Sequence, residues 1–229
     1  MIYRASDSQD GIVLAELEPF FIRLLAQIPA CADPGVHPAA RARLFASPSD
    51  EPGENMLRED WRELVEPELA HLFITAQETV ATDLKALPLS ESLGAEGGPG
   101  DYLPGTVALT IPQPHYEAWL STLNQARLVL AARHGIGERE MAPDLSALPS
   151  ERRSRALLHM FFHEVAGQAL LTPPASAKER ALLAMCQHQV LRQLLDEQNS
   201  PTDARERALL AINFYDVLQQ LLLRELGYA

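Results

Sequence analysis

One segment near the middle of the chain constrains the fold more than any other, because its hydrophobic period changes. Apolar residues alternate with small or polar ones along 106–111, which is typical of a half-buried strand. After two prolines, apolar residues recur every three or four positions from Trp119 to Leu130, which is the spacing of a core helix. Gly135 follows with basic residues just before it, as at many helix ends. The segment predicts one strand that leads into one long central helix.

Other short apolar runs predict the rest of a small sheet. Residues 2–4 and 12–14 flank a turn-rich link and favour a hairpin. Because a lone hairpin is marginal in water, residues 106–111 are the natural third strand. With helical patterns over most of the chain, the predicted fold class is mainly α, a helical bundle with a small two- or three-stranded antiparallel β-sheet.

A long helical pattern runs from about residue 55 to residue 87. Pro67 predicts a kink or a break near Glu66. Residues 88–105 are rich in glycine and proline and are interpreted as an exposed loop. The apolar positions of the helical region form a stripe that we expect to face inward: Trp61, Val65, Leu69, Leu72, Ala76, Val80, Leu84 and Leu87.

Three further helical patterns follow a second linker at 138–149. The last of them, from Ser200 to Leu226, is apolar almost all round. Such a helix lies either at the centre of its domain or partly against another chain. The second alternative predicts a homodimer through this final helix.

Composition excludes some classes of protein. A net charge of −12 over 229 residues argues against a nucleic-acid partner, which needs basic groups at the phosphates. No apolar run is long enough to span a bilayer, and the N-terminal residues lack the pattern of a signal peptide. Cys31 and Cys186 are isolated thiols that fit a reducing compartment. We therefore expect a cytoplasmic protein with no membrane association.

Eight acids lie between Asp50 and Glu68; a solvated face is the favoured interpretation, and a basic partner is the alternative.

Histidines supply the chemical alternative. His159 and His163 are four residues apart, share one helix face and could chelate a metal with a nearby carboxylate such as Glu164, and His188 lies in the next helix. Ordinary packing or surface histidines are the favoured interpretation, because no third ligand has a known place. The chain contains no nucleophile elbow, no phosphate-binding loop and no dinucleotide fingerprint. We therefore predict no catalytic residue and no cofactor.

Two polar residues stand out at the border of the central apolar stripe, Asn124 and Arg127. Structural anchoring is the favoured role for them, and ligand recognition is the alternative.

The segment from Trp119 to Leu130 also carries a resemblance. It resembles the W-L-x-x-L-N-x-x-R-L-x-L helix, preceded by a strand, of a bacterial and largely actinobacterial domain family of unknown function. Members are sometimes encoded near the Clp protease adaptor. The resemblance implies that Trp119, Asn124 and Arg127 are family-pattern positions of unknown role, and it carries no catalytic residue.

The resemblance also implies a division of the chain. Residues 1–229 are expected to form a single compact domain, with a family-like core and N-terminal hairpin in 1–136. Residues 138–200 are expected to add helices to this core, and 201–229 to close it. The resulting expectation is a non-enzymatic protein-interaction or regulatory module; the alternative is a metal-binding protein or enzyme that uses His159 and His163.

Overall fold

The computed structural model is a bundle of helices with a small three-stranded antiparallel sheet, which confirms the predicted fold class. The structure describes residues 2–8, 11–47, 55–87, 107–137, 140, 150–172, 174–195 and 204–228. The predicted loop at 88–105 lies outside them. The strands are β1 (Tyr3–Ser8), β2 (Gly11–Ala15) and β3 (Leu109–Pro112). The α-helices are α1 (Pro19–Ala26), α2 (Ile28–Ala32), α3 (Pro38–Leu44), α4 (Asn55–Asp60), α5 (Glu66–Leu84), α6 (Tyr116–His134), α7 (Ser150–Leu171), α8 (Ala177–Leu195) and α9 (Ala204–Glu225).

The sheet has the order β1-β2-β3, so β2 pairs both with β1 of the hairpin and with β3, which leads into α6. Ile12 lies opposite Ile111, and both are buried on the face that meets the helices. Gly11 has a φ of 151°, and a Cβ atom there would lie 2.1 Å from the carbonyl oxygen of Ile111. This close approach of two backbones requires glycine.

Helix α6 is the helix that the change of period predicted. It ends at Gly135, whose φ of 61° is left-handed. The amide of Ile136 donates to the carbonyl of Ala131 at 2.8 Å, and the amide of Gly135 donates to that of Ala132. Together these bonds form a Schellman motif, which satisfies the last carbonyls of the helix.

Helix α9 lies at the centre of the bundle, packed on α6 and α7. Most of its apolar surface is covered within one chain, although Leu223 is exposed. Its buried residues include Leu210, Ala211, Ile212, Phe214, Tyr215, Val217, Leu218, Leu221 and Leu222. A position at the centre of its own domain therefore accounts for the apolar composition of α9. A homodimer through α9 stays a prediction, as does the division of the chain into a core and added helices.

Polar contacts connect the beginning of the chain to its last helices. The amide of Ile2 donates to Oε1 of Gln187 at 3.1 Å, and Nε2 of Gln187 donates back to the carbonyl of Ile2 at 3.0 Å. The hydroxyl of Tyr215 donates to the carbonyl of Leu24 at 2.8 Å, and burial raises the pKa of this hydroxyl. These bonds fix α8 and α9 against the N-terminal elements.

Replacing Tyr215 with phenylalanine is expected to lower the free energy of unfolding by about 1–3 kcal/mol, because the buried carbonyl of Leu24 loses its donor. Urea unfolding at neutral pH measures the change. Tyr228 is 79% exposed, so Tyr228→Phe is the matched control and should leave the midpoint unchanged. An equal effect of both substitutions would contradict the assigned role of the Tyr215 hydroxyl.

Candidate functional site

A polar layer lies between α7 and α9, and it contains the two histidines of the metal-binding alternative, His159 and His163. Nε2 of His159 donates to Oε2 of Glu206 at 2.8 Å, and Nδ2 of Asn213 lies 3.5 Å from Nδ1 of the same ring. Nε of Arg155 lies 2.9 Å from Oε1 of Glu206. The hydrogen bond from His159, together with Arg155, lowers the pKa of Glu206 to about 2, against the opposing effect of burial.

A second group of the same kind lies further along the two helices. Nε2 of His163 donates to Oδ2 of Asp216 at 3.0 Å, and Nη2 of Arg127 from α6 lies 2.7 Å from Oδ1. Arg127 also donates to the side chain of Gln219. The hydrogen bond from His163 lowers the pKa of Asp216, and the charge of Arg127 acts in the same direction. Arg127 therefore anchors α6 to α9, in agreement with the role favoured for it.

This arrangement assigns the two histidines to different carboxylates. Each carboxylate is also paired with an arginine, which competes with any cation for its oxygens. His188 is exposed on α8. Within the residues that the structure describes, no three His, Cys, Asp or Glu side chains form a group that could hold a metal ion. The layer is arranged to fasten helices to one another.

The two other family-pattern positions differ in their surroundings. Trp119 is fully buried, and its Nε1 donates to Oδ2 of Asp83 at 2.8 Å. Nδ1 of His115 lies 2.9 Å and 3.0 Å from the two oxygens of the same carboxylate. Asp83 thus connects the end of α5 to the beginning of α6. Asn124 is exposed on α6.

Helix α5 carries a stripe that is covered in one half only. Helix α4 continues through a π-helical turn, Trp61–Val65, directly into α5. The predicted inward stripe is buried at Ala76, Val80 and Leu84, but Leu72 is 63% exposed and Val65 is exposed as well. The expectation that the whole stripe faces the core is therefore wrong at Val65 and Leu72, while Trp61 and Leu69 are half-buried.

Further apolar side chains around this half are exposed among acidic ones. Leu64 is 68% exposed, and Asp60 and Glu68, each four residues from Leu64, are exposed beside it. Residues three or four apart share a helix face. We define the acidic surface as these two carboxylates with five exposed apolar residues, namely Met56, Leu57, Leu64, Val65 and Leu72.

A second apolar surface lies on the pair formed by α7 and α8. The two helices pack against each other, and Nη2 of Arg155 near the beginning of α7 donates to the carbonyl of Leu194 at the end of α8. Exposed bases, Lys178 and Arg192, lie on α8 in register with its exposed apolar residues, and the exposed carboxylates of Glu179 and Glu164 lie three and four residues from Leu182 and Met160. We define the basic surface as these two bases with Leu157, Met160, Phe161, Leu182 and Met185, all of them exposed.

Sequence reasoning missed the exposure of these two surfaces and the carboxylate partners of the histidines. The signal available for the acidic surface was the run of acids around Pro67. No local signal pointed to Glu206 or Asp216, which lie 47 and 53 residues from their histidines in the chain.

None of the helices in the described part of the chain combines the length and apolar character needed to cross a membrane. A family model described as a domain of unknown function, DUF2017, matches residues 4–226. No curated protein and no solved structure matches the chain.

Proposed function

From the premise that the chain belongs to the DUF2017 family, whose function is unknown, we propose that it is a non-enzymatic protein-interaction module. The observation that carries this proposal is the acidic surface. There, the apolar stripe of α5 and of the π-helical turn before it is exposed to solvent at Leu72 and Val65. Exposed apolar patches of this kind mark sites of protein contact in soluble proteins.

The composition of the surface supports the same proposal. Leucine and methionine supply apolar area, and carboxylates at the border keep the surface soluble when no partner is bound. The side chains of the polar layer between α7 and α9 pair with one another across the helices. This pairing supports a structural role for His159 and His163. The proposed module acts in the cytoplasm, as the free thiols of Cys31 and Cys186 suggest.

A photo-crosslinking residue at position 72 of the full chain tests this function in the cells that make it. We expect a discrete adduct on irradiation, because Leu72 lies within the proposed contact. The same residue at position 78, where Glu78 is exposed on the other half of α5, is the matched control. The adduct should be lost when Leu64→Asp is added to the chain, since a charge then enters the apolar contact.

Two outcomes would contradict the proposed function. One is an adduct at position 72 no stronger than that at position 78. The other is an adduct at position 72 that survives Leu64→Asp in a chain with an unchanged circular dichroism spectrum.

A further inference from the structure

Opposite charge on two exposed apolar surfaces of one chain points to the identity of the partner. We propose that the acidic surface binds the basic surface of a second copy of this chain. This inference rests on the proposed function and adds the occupant. In a twofold dimer, each copy would offer its acidic surface to the basic surface of the other, so the contact would form twice.

The charge difference between the two surfaces extends over whole helices. Of the charged side chains exposed from Asn55 to Leu84, five are acidic and one is an arginine, whereas those described as exposed on α7 and α8 are three bases and two acids, so the two surfaces differ in the sign of their net charge. The carboxylates Asp60 and Glu68 border the exposed Leu64, and Lys178 lies four residues before the exposed Leu182. Such complementary charges attract and orient two surfaces before their apolar areas meet.

The apolar side chains of the acidic surface and of the basic surface are exposed to a similar degree. Leu64 and Leu72 are 68% and 63% exposed on one surface, and Leu182 and Met185 are 59% and 70% exposed on the other. Because both surfaces are exposed within the single chain, neither one covers the other in the same molecule. The contact between them that the chemistry favours is therefore between two molecules. Two acidic surfaces, by contrast, would repel each other.

Charge reversal of each surface tests the proposal with purified full-length protein. One double variant is Asp60→Lys with Glu68→Lys, and the other is Lys178→Glu with Arg192→Glu. Sedimentation over a concentration series should show a dimer for the wild type, weakened by added salt. Each reversed chain alone has two surfaces of like charge, so we expect its dimerisation to weaken by roughly tenfold or more.

An equimolar mixture of the two reversed chains should associate again, because each reversed surface then meets a surface of opposite charge. This recovery also shows that both variants are folded. The matched control is Arg23→Glu with Arg43→Glu, which makes the same change of net charge as the basic-surface variant at exposed positions of α1 and α3. It should leave dimerisation at the wild-type level.

Three results would overturn the inference: a wild type that stays monomeric at every concentration, dimerisation that salt does not weaken, or reversed chains that fail to associate when mixed.

The crosslinking experiment separates this inference from the proposed function. An adduct of residue 72 with peptides from α8 of a second copy supports both. An adduct only with a different protein supports the function and overturns the second copy as its occupant. The absence of any adduct overturns the function itself.

Discussion

Replacing Trp119 with alanine is expected to lower the free energy of unfolding by about 3–5 kcal/mol, which is the usual cost of removing a large aromatic side chain from a core. Trp119 is fully buried on the helix that packs against α2, α5 and α9, so the vacated volume cannot be filled by one neighbour alone. The substitution also removes the donor to Oδ2 of Asp83, which is itself almost buried. Urea unfolding followed by circular dichroism measures the loss.

Two further variants separate these contributions. Trp119→Phe keeps most of the apolar volume and removes the hydrogen bond, so we expect a loss of about 1–3 kcal/mol. Trp61→Ala makes the same chemical change as Trp119→Ala at a half-buried position, where the indole makes a long 3.4 Å bond to the carbonyl of Phe45. Trp61→Ala should therefore lower the free energy of unfolding much less than Trp119→Ala. Equal losses for Trp61→Ala and Trp119→Ala would refute the central position of Trp119.

The second large effect is a loss of stability in acid that depends on Glu206. Its pKa is about 2 in the folded protein and 4.5 as its ordinary value. The lowered pKa means that Glu206 stabilises the fold above about pH 5, and that this contribution declines as the pH falls toward 2. Since the side chain is 30% exposed, we expect the stability due to this group to decrease by about 1–2 kcal/mol between pH 6 and pH 3. Asp216, whose pKa is also lowered, adds a loss in the same direction.

Unfolding in urea at a series of pH values, for the wild type and for Glu206→Gln, measures this effect. The variant should be less stable at pH 6, because Arg155 and His159 lose their shared acceptor. The difference in free energy of unfolding between the two proteins should decrease toward pH 3, because there the wild type loses the contribution of Glu206 by protonation. Glu117→Gln removes an exposed carboxylate from α6 and should follow the wild-type curve. Parallel curves for the wild type and Glu206→Gln would show that the pKa of Glu206 is not involved.

Sequence periodicity was sufficient where an element is decided by its own residues. The change of period around residue 111 predicted both β3 and α6, and Gly135 predicted the end of that helix. Pro67 predicted an irregularity near Glu66, and the π-helical turn Trp61–Val65 ends just before it. In each case the deciding physics is local: side-chain alternation, a missing amide or a left-handed backbone.

Periodicity failed where burial depends on distant neighbours. Val65 and Leu72 continue the same stripe as Ala76 and Val80, yet only the last two are buried. A stripe tells which side of a helix is apolar and not how far along the helix a partner extends. The pairing of His163 with Asp216 likewise depends on how α7 and α9 align, which neither helix specifies alone.

The bonds between Ile2 and Gln187, and between Tyr215 and Leu24, join segments that a ribosome synthesises 185 and 191 residues apart. While the nascent chain is still missing α8 and α9, the sheet and α6 lack their final cover and expose aggregation-prone apolar area. Native structure is therefore completed only after α9 has left the ribosome. A premature stop codon before α9 should yield a product that is degraded, and not a smaller working protein.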